Sequence, residues 1–204
     1  MEADPRAALK TALDGRMTDL LADWARDSDN RDAFYLNCCR QGRFVPDGAI
    51  VALEYIQRRY PPSVRLCEVG TGLGAFAFLC AAAGLDVAAV EAAPSRRRVA
   101  VMLAEALAPE IRGHVEILGG YYPRAHPGLA FDVLIASNVV NSVWNELRMS
   151  WREIIGPHDA VLDLRVWDRC RETDAEIMEL VNQIRAEGYT AECVAGTVWA
   201  IHNG

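Results

Sequence analysis

Residues 67–79 read CEVGTGLGAFAFL, and the way that stretch divides decides the fold. Its first three residues close a short apolar run, VRLCEV, of strand length and strand composition. Gly70, Gly72 and Gly74 follow, then an alanine-rich stretch, AFAFLCAAAG, long enough for a helix. Glycine is needed where a backbone turns tightly and passes close beneath a ligand, because a Cβ there would occupy the ligand's space. A strand, a glycine loop and a helix in that order suit a nucleoside-bearing ligand. The next apolar run, DVAAVEA, carries Glu91 near its end, 21 positions after Gly70. A carboxylate at that spacing can accept both hydroxyl hydrogens of an adenosine ribose. With Ala75, the same glycines also satisfy the GxGxxA form of a dinucleotide site.

Working outward, short apolar runs alternate with helix-length stretches. After DVAAVEA come the helix SRRRVAVMLAEALA, the run HVEIL, the turn-rich GGYYPRAHPG, the run FDVLIAS and the helix VVNSVWNELRMSWREII. A Gly156-Pro157 break, the run AVLDLRVW, the helix DAEIMELVNQIRAEG and the runs YTAECVA and TVWAIH complete the chain. Apolar runs separated by helices predict a parallel sheet covered on both faces. The last two runs are joined only by the Ala195-Gly196 turn, so a hairpin should place an antiparallel strand at that end. The expected fold is α/β: a doubly wound, seven-stranded, mostly parallel sheet in a three-layer sandwich. Residues 1–60 read as helices at three and four spacing and are expected to form an N-terminal helical cap on a domain of residues 61–204.

Composition bounds the function. The 204 residues are 51% hydrophobic and 24% charged, which excludes a disordered or fibrous chain and fits one domain. With 28 acidic against 21 basic side chains the net charge is −7, so no overall positive field exists to hold a nucleic acid backbone. No apolar run is long enough to span a membrane, and MEADPRAALKTALDG lacks a basic start followed by an apolar core; a cytoplasmic protein is expected. Cys38, Cys39, Cys67, Cys80, Cys170 and Cys193 form no CxxC pair and are expected to be reduced, mostly buried and free of metal. Arg96, Arg97 and Arg98 read as a solvated helix face.

The glycine stretch resembles the first motif of class I S-adenosylmethionine-dependent methyltransferases, in which an acid two residues before the first glycine of GxGxG is usual. The resemblance runs from Val64 to the C-terminus, with FDVLIAS, GPHDAVLDL and the final hairpin like the family's fourth strand, fifth strand and last pair. It implies S-adenosylmethionine as cofactor, with Glu68 near its ammonium, Gly70, Thr71, Gly72 and Gly74 beneath its methionine and ribose, and Glu91 with Ala92 at the ribose. The acid that the family often places beyond the third strand is replaced by Gly119, Gly120 and Tyr121, so Gly120 and Tyr121 stand in for it at the adenine. Ser137 and Asn138 follow the fourth strand, where the family lines the gap between sulfonium and acceptor.

Methyl transfer from a sulfonium is an in-line displacement, so alignment in a dry pocket is the main requirement. A general base is needed only where the acceptor holds its proton, and the candidates are His126 and Glu146. His158 precedes the fifth strand and belongs to the opposite end of the sheet. Metal-dependent, catechol-type members of the family it resembles carry carboxylates at the carboxyl ends of the fourth and fifth strands; here Asp132 starts the fourth strand and Ser137 and Asn138 follow its far end, so the resemblance implies no catalytic metal. The signature of amino-methyltransferases that act on bases does not occur in SNVVN. Tyr35, Arg43 and Phe44, with Asn138 and Asn141, are candidates for the acceptor pocket, with the N-terminal segment as its wall. The expected partner is a small-molecule acceptor, with neither nucleic acid nor membrane, and the protein a monomer or homodimer. Two other classes fit the same residues: an NAD(P)-dependent oxidoreductase, and a non-catalytic fold member that binds the cofactor.

Overall fold

In a parallel sheet covered on both faces, strands are apolar on both sides, and side chains alternate between the two layers of helix. The computed structural model describes residues 45–109, 111, 113–137, 149–164 and 174–203. In chain order these form α1 (Asp47–Arg59), β1 (Arg65–Val69), α2 (Ala75–Ala82), β2 (Asp86–Glu91), α3 (Pro94–Leu107), β3 (Val115–Gly119) and β4 (Val133–Ser137). Then come α4 (Trp151–Ile155), β5 (Asp159–Asp163), α5 (Asp174–Ala186), β6 (Tyr189–Ala195) and β7 (Val198–Asn203). They build a seven-stranded sheet of order β3-β2-β1-β4-β5-β7-β6. Only β7 runs antiparallel, inserted between β5 and β6 as the C-terminal hairpin predicts. The chain leaves β1 towards β2 on one side and later fills β4 on the other, so the order reverses at β1. An α/β sheet of this kind binds ligands in the crevice at the carboxyl ends beside such a reversal.

Alternation divides the strand residues cleanly. Leu66, Val87, Ala89, Val133, Ile135 and Val161 pack under α1, α2 and α3 with Leu53, Ile56, Phe76, Phe78 and Leu103. Cys67, Val69, Val90, Leu134, Ala136 and Leu162 face the other layer, with Trp151, Ile154, Val181 and Ile184. Carrying the two-residue period to the strand ends puts Gly119, Glu91, Glu68, Ser137 and Asp163 on the face that α1, α2 and α3 cover, across five adjacent strands.

The carboxyl end of α1 is pinned to the amino-end edge of the sheet. The Tyr60 hydroxyl donates to Asp159 at 2.7 Å, and His202 Nδ1 donates to the same carboxylate at 3.1 Å. Nε2 of the same ring lies 3.3 Å from the Tyr55 hydroxyl. Ala49, Ala52, Leu53 and Ile56 of α1 are buried in the same core as the strands, so this part of the N-terminal region is a layer of the fold itself.

Three local expectations differ from the structure. The stretch from Val139 to Ile155 does not run as one helix, because Ser150 is extended (ψ 158°) and opens α4 with a capping box to Glu153. Cys67 and Cys80 are buried as expected, whereas Cys193 is exposed, since β6 is an edge strand with one poorly covered face. Cys38, Cys39 and Cys170 lie outside the described residues. Arg97 is half-buried rather than solvated, its guanidinium lying over Gly119.

Phe78 is fully buried between α2 and the sheet. Phe78→Ala should lower the free energy of unfolding by about 3 to 5 kcal/mol through lost contacts and the cavity left behind, read as a shift in urea midpoint with an unchanged slope.

Candidate active site

The loop after β1 is built from positive φ angles at Gly70 (68°), Gly72 (60°) and Gly74 (92°). At Gly74 a Cβ would also lie 2.5 Å from Phe78 Cε2 and 2.6 Å from its Cζ, so both the backbone and the space beside it require glycine. The loop is strapped to β2, with the Gly70 and Thr71 amides donating to the Val90 carbonyl at 2.9 and 3.1 Å.

Two buried carboxylates flank this loop. Glu68, 3% exposed, accepts from the Thr71 hydroxyl and, at 3.0 Å, from the Ala77 amide in the first turn of α2. Glu91, 5% exposed, reaches back from β2 so that Oε2 accepts from the Gly72 amide at 2.8 Å, while Oε1 accepts from the Ala93 amide at 2.8 Å. Burial pushes the Glu68 carboxyl up to about 8, and the neighbouring Glu91 charge adds to the shift, against the lowering by Thr71 and Ala77. Among the described residues no cation pairs with either acid.

On the β3 side of Glu91 the strand ends in Gly119, in register with Glu91. Gly120 (φ 100°) turns the chain, and Tyr121 stands 53% exposed. His126 sits in the same turn, its Nε2 donating to the Gly119 carbonyl at 2.7 Å. That puts His126 two strands from β1, on the side away from β4. His158 lies against Phe131 at 4.1 Å between ring centres, at the amino end of β5.

On the other side of Glu68, Ser137 ends β4 and is paired in register with Asp163 at the end of β5. Asp163 is 1% exposed and accepts from the Thr197 hydroxyl at 2.6 Å, tying down the β6-β7 turn. Asp163 is not among the residues expected from the sequence, although an acid inside the apolar run AVLDLRVW is itself a signal. Thr71, Gly72, Gly74, Glu68 and Glu91 are thus brought together, with Ala92, Gly120 and Tyr121 on one flank and Ser137 on the other. Tyr35, Arg43, Phe44, Asn138, Asn141 and Glu146 lie outside the described residues. Among the described residues no group of three His, Cys, Asp or Glu could hold a metal ion.

No protein-family model and no curated protein matches the chain in sequence. Solved structures do match its fold. Magnesium protoporphyrin IX methyltransferase from Synechocystis PCC 6803, with bound SAM, aligns over 98% of both chains at 12% identity and a TM-score of 0.61. The fold is that of the class I S-adenosylmethionine-dependent methyltransferases. Ribosomal protein L11 methylase from Lactobacillus delbrueckii subsp. bulgaricus aligns over 79% of both chains at 13% identity and a TM-score of 0.54. Precorrin-6y C5,15-methyltransferase from Geobacter metallireducens GS-15 covers 75% of this chain and 84% of its own, at 13% identity and a TM-score of 0.50. These names span precorrin-6y, magnesium protoporphyrin IX and a ribosomal protein, so the methyltransferase fold by itself leaves the acceptor open.

The raised Glu68 carboxyl gives a pH signature to the ligand-free protein. Below about pH 4.5, the group's ordinary value, it is protonated whether the chain is folded or not. From there to about 8 the unfolded chain releases the proton and the folded one retains it, so its contribution to stability falls with rising pH and is lost above 8. Glu68→Gln removes this loss. Urea unfolding across pH 5 to 9 should show the variant gaining on the wild type up to about pH 8 and holding level beyond; a constant difference would mean that Glu68 is ionised throughout.

Proposed function

We propose that the protein is a methyltransferase that passes a methyl group from S-adenosylmethionine to an oxygen or nitrogen of a small-molecule acceptor, by in-line displacement and without a metal. The observation that carries this reading is the glycine loop held between two buried carboxylates that no described cation neutralises. Such a pair suits a ligand with an ammonium at one end and a ribose at the other. The three glycines hold the loop in positive-φ conformations that bring its backbone between the two acids. Bound there, the cofactor supplies an electrophilic methyl on a sulfonium.

In this reading Glu68 meets the ammonium, and Thr71 fixes the Glu68 carboxylate. Gly70, Gly72 and Gly74 pass beneath the methionine and ribose. Glu91 takes the ribose hydroxyls with the lone pairs that the Gly72 and Ala93 amides leave free, since a carboxylate has about four acceptor positions and two are used. Ala92, Gly120 and Tyr121 line the base, while Ser137 and Asn138 face the sulfonium. The acceptor then approaches from the β4-β5 side, where Asp163 is the buried acid and where Tyr35, Arg43, Phe44 and Asn141 complete a pocket with the chain that leads into α1. His126, held on Gly119, serves the base-side loop, and Glu146 is left as the proton acceptor when the substrate needs one. We place the enzyme in the cytoplasm as a monomer or homodimer; no helix among the described residues is long and apolar enough to cross a membrane.

Calorimetric titration with S-adenosylhomocysteine and, separately, with NAD tests the reading. S-adenosylhomocysteine should bind and, in a parallel thermal melt, raise the melting temperature, and NAD should do neither. Stabilisation by NAD alone would make the protein an oxidoreductase. Glu91→Ala should weaken S-adenosylhomocysteine by roughly 1.5 to 3 kcal/mol, about tenfold to a hundredfold, through loss of charge-assisted bonds and release of the Gly72 amide.

A further inference from the structure

Arg97 belongs to the run of three arginines at the start of α3, yet its guanidinium is turned inward over the end of β3. Its Cζ lies 2.6 Å and its Nε 3.2 Å from the point where a Cβ on Gly119 would stand, so the guanidinium occupies the space that the glycine leaves open. Register partners in a sheet point to the same face, and Gly119 is the partner of Glu91. The guanidinium therefore lies on the Glu91 face, one strand spacing farther from the glycine loop. Glu91 does not neutralise it, because that carboxylate is drawn the other way to the Gly72 and Ala93 amides. Among the described residues Arg97 has no hydrogen bond through its side chain and no ion pair. It is half-buried, with five N–H donors unspent at the carboxyl ends of β2 and β3.

The order along the cleft is then loop, Glu91, Arg97. If the loop holds the amino-acid part and Glu91 the ribose, the next place is the nucleobase. Between Ile117 and Phe131 the chain contains no acid, so no carboxylate stands there to accept from an exocyclic amine. What the chain offers is a donor-only guanidinium, with the exposed Tyr121 ring in the following turn and His126 bracing the Gly119 carbonyl. Adenine and hypoxanthine share the ring-nitrogen acceptors N3 and N7, and differ at position 6, where one carries an amine donor and the other a carbonyl acceptor.

We infer that Arg97 is the base-reading residue of the cofactor pocket, a guanidinium seated on the bare end of β3 that takes a purine by its acceptor atoms and leaves position 6 unselected. This rests on the cofactor reading above. The test is calorimetric titration of the full chain with S-adenosylhomocysteine and with its deaminated form, S-inosylhomocysteine. The wild type should bind the two within about threefold of each other, and Arg97→Ala should weaken both by about tenfold, the change expected for one charge-assisted hydrogen bond. Circular dichroism of the variant without ligand checks its fold, and the two-ligand comparison on the wild type stands without any variant. A wild-type preference of tenfold or more for the amino form, or a folded Arg97→Ala that binds both ligands as the wild type does, overturns the assignment of Arg97 while leaving the cofactor reading intact. Failure of the wild type to bind either ligand overturns the cofactor reading and Arg97 with it.

Discussion

The bond from the Gly72 amide to Glu91 joins two strand ends that the sheet alone would leave independent. β1 and β2 are paired along their length, but the chain beyond Val69 is a loop whose backbone follows no ladder. By accepting from Gly72, Glu91 brings that loop over the end of β2, and by accepting from Ala93 it fixes the start of the connection to α3. Glu68 does the same from below, linking the loop's Thr71 to the first turn of α2. The chain's own buried carboxylates therefore shape the loop. Ordering a loop on binding costs free energy, and a loop already held by buried carboxylates avoids most of that cost.

Why the polar residues gather as they do follows from the sheet. The central parallel strands β1, β2, β4 and β5 are buried on both faces along almost their whole length, so a polar side chain in mid-strand would be stranded in a core. Glu68 is one position in from the end of β1, and Glu91, Ser137 and Asp163 end their strands. All share one face, so the covering helices, the glycine loop and these groups form a continuous polar edge above an apolar core.

This also accounts for what could be read from the sequence. Glu68 and Glu91 were legible because glycines, or a change from apolar to helical texture, mark where their strands stop. The seven strands, their parallel direction and the terminal hairpin were legible from run length and from the missing helix between β6 and β7. Asp163 was not, because Leu164, Val166 and Trp167 continue the apolar texture and hide the end of β5. Ser150 was not, because the apolar spacing runs through it, and only the reciprocal bonds with Glu153 show a helix starting there. Arg97 eluded the reading for another reason. Helical periodicity reports where a Cα lies, and a long side chain can carry its charged group to a place its backbone position does not suggest.

The charges of the cleft form one system. Burial holds the Glu68 carboxyl well above its ordinary range, and the Glu91 charge beside it adds to the shift. A ligand cation arriving beside Glu68 reverses the balance: it stabilises the ionised form, and the proton leaves as the ligand enters. If Arg97 reads the base as inferred above, it is the far pole of a cleft that would present acid to one end of the ligand and base to the other. An elongated molecule with a cationic head and an acceptor-rich tail fits that polarity in one direction only, so the charges would orient the ligand as well as hold it.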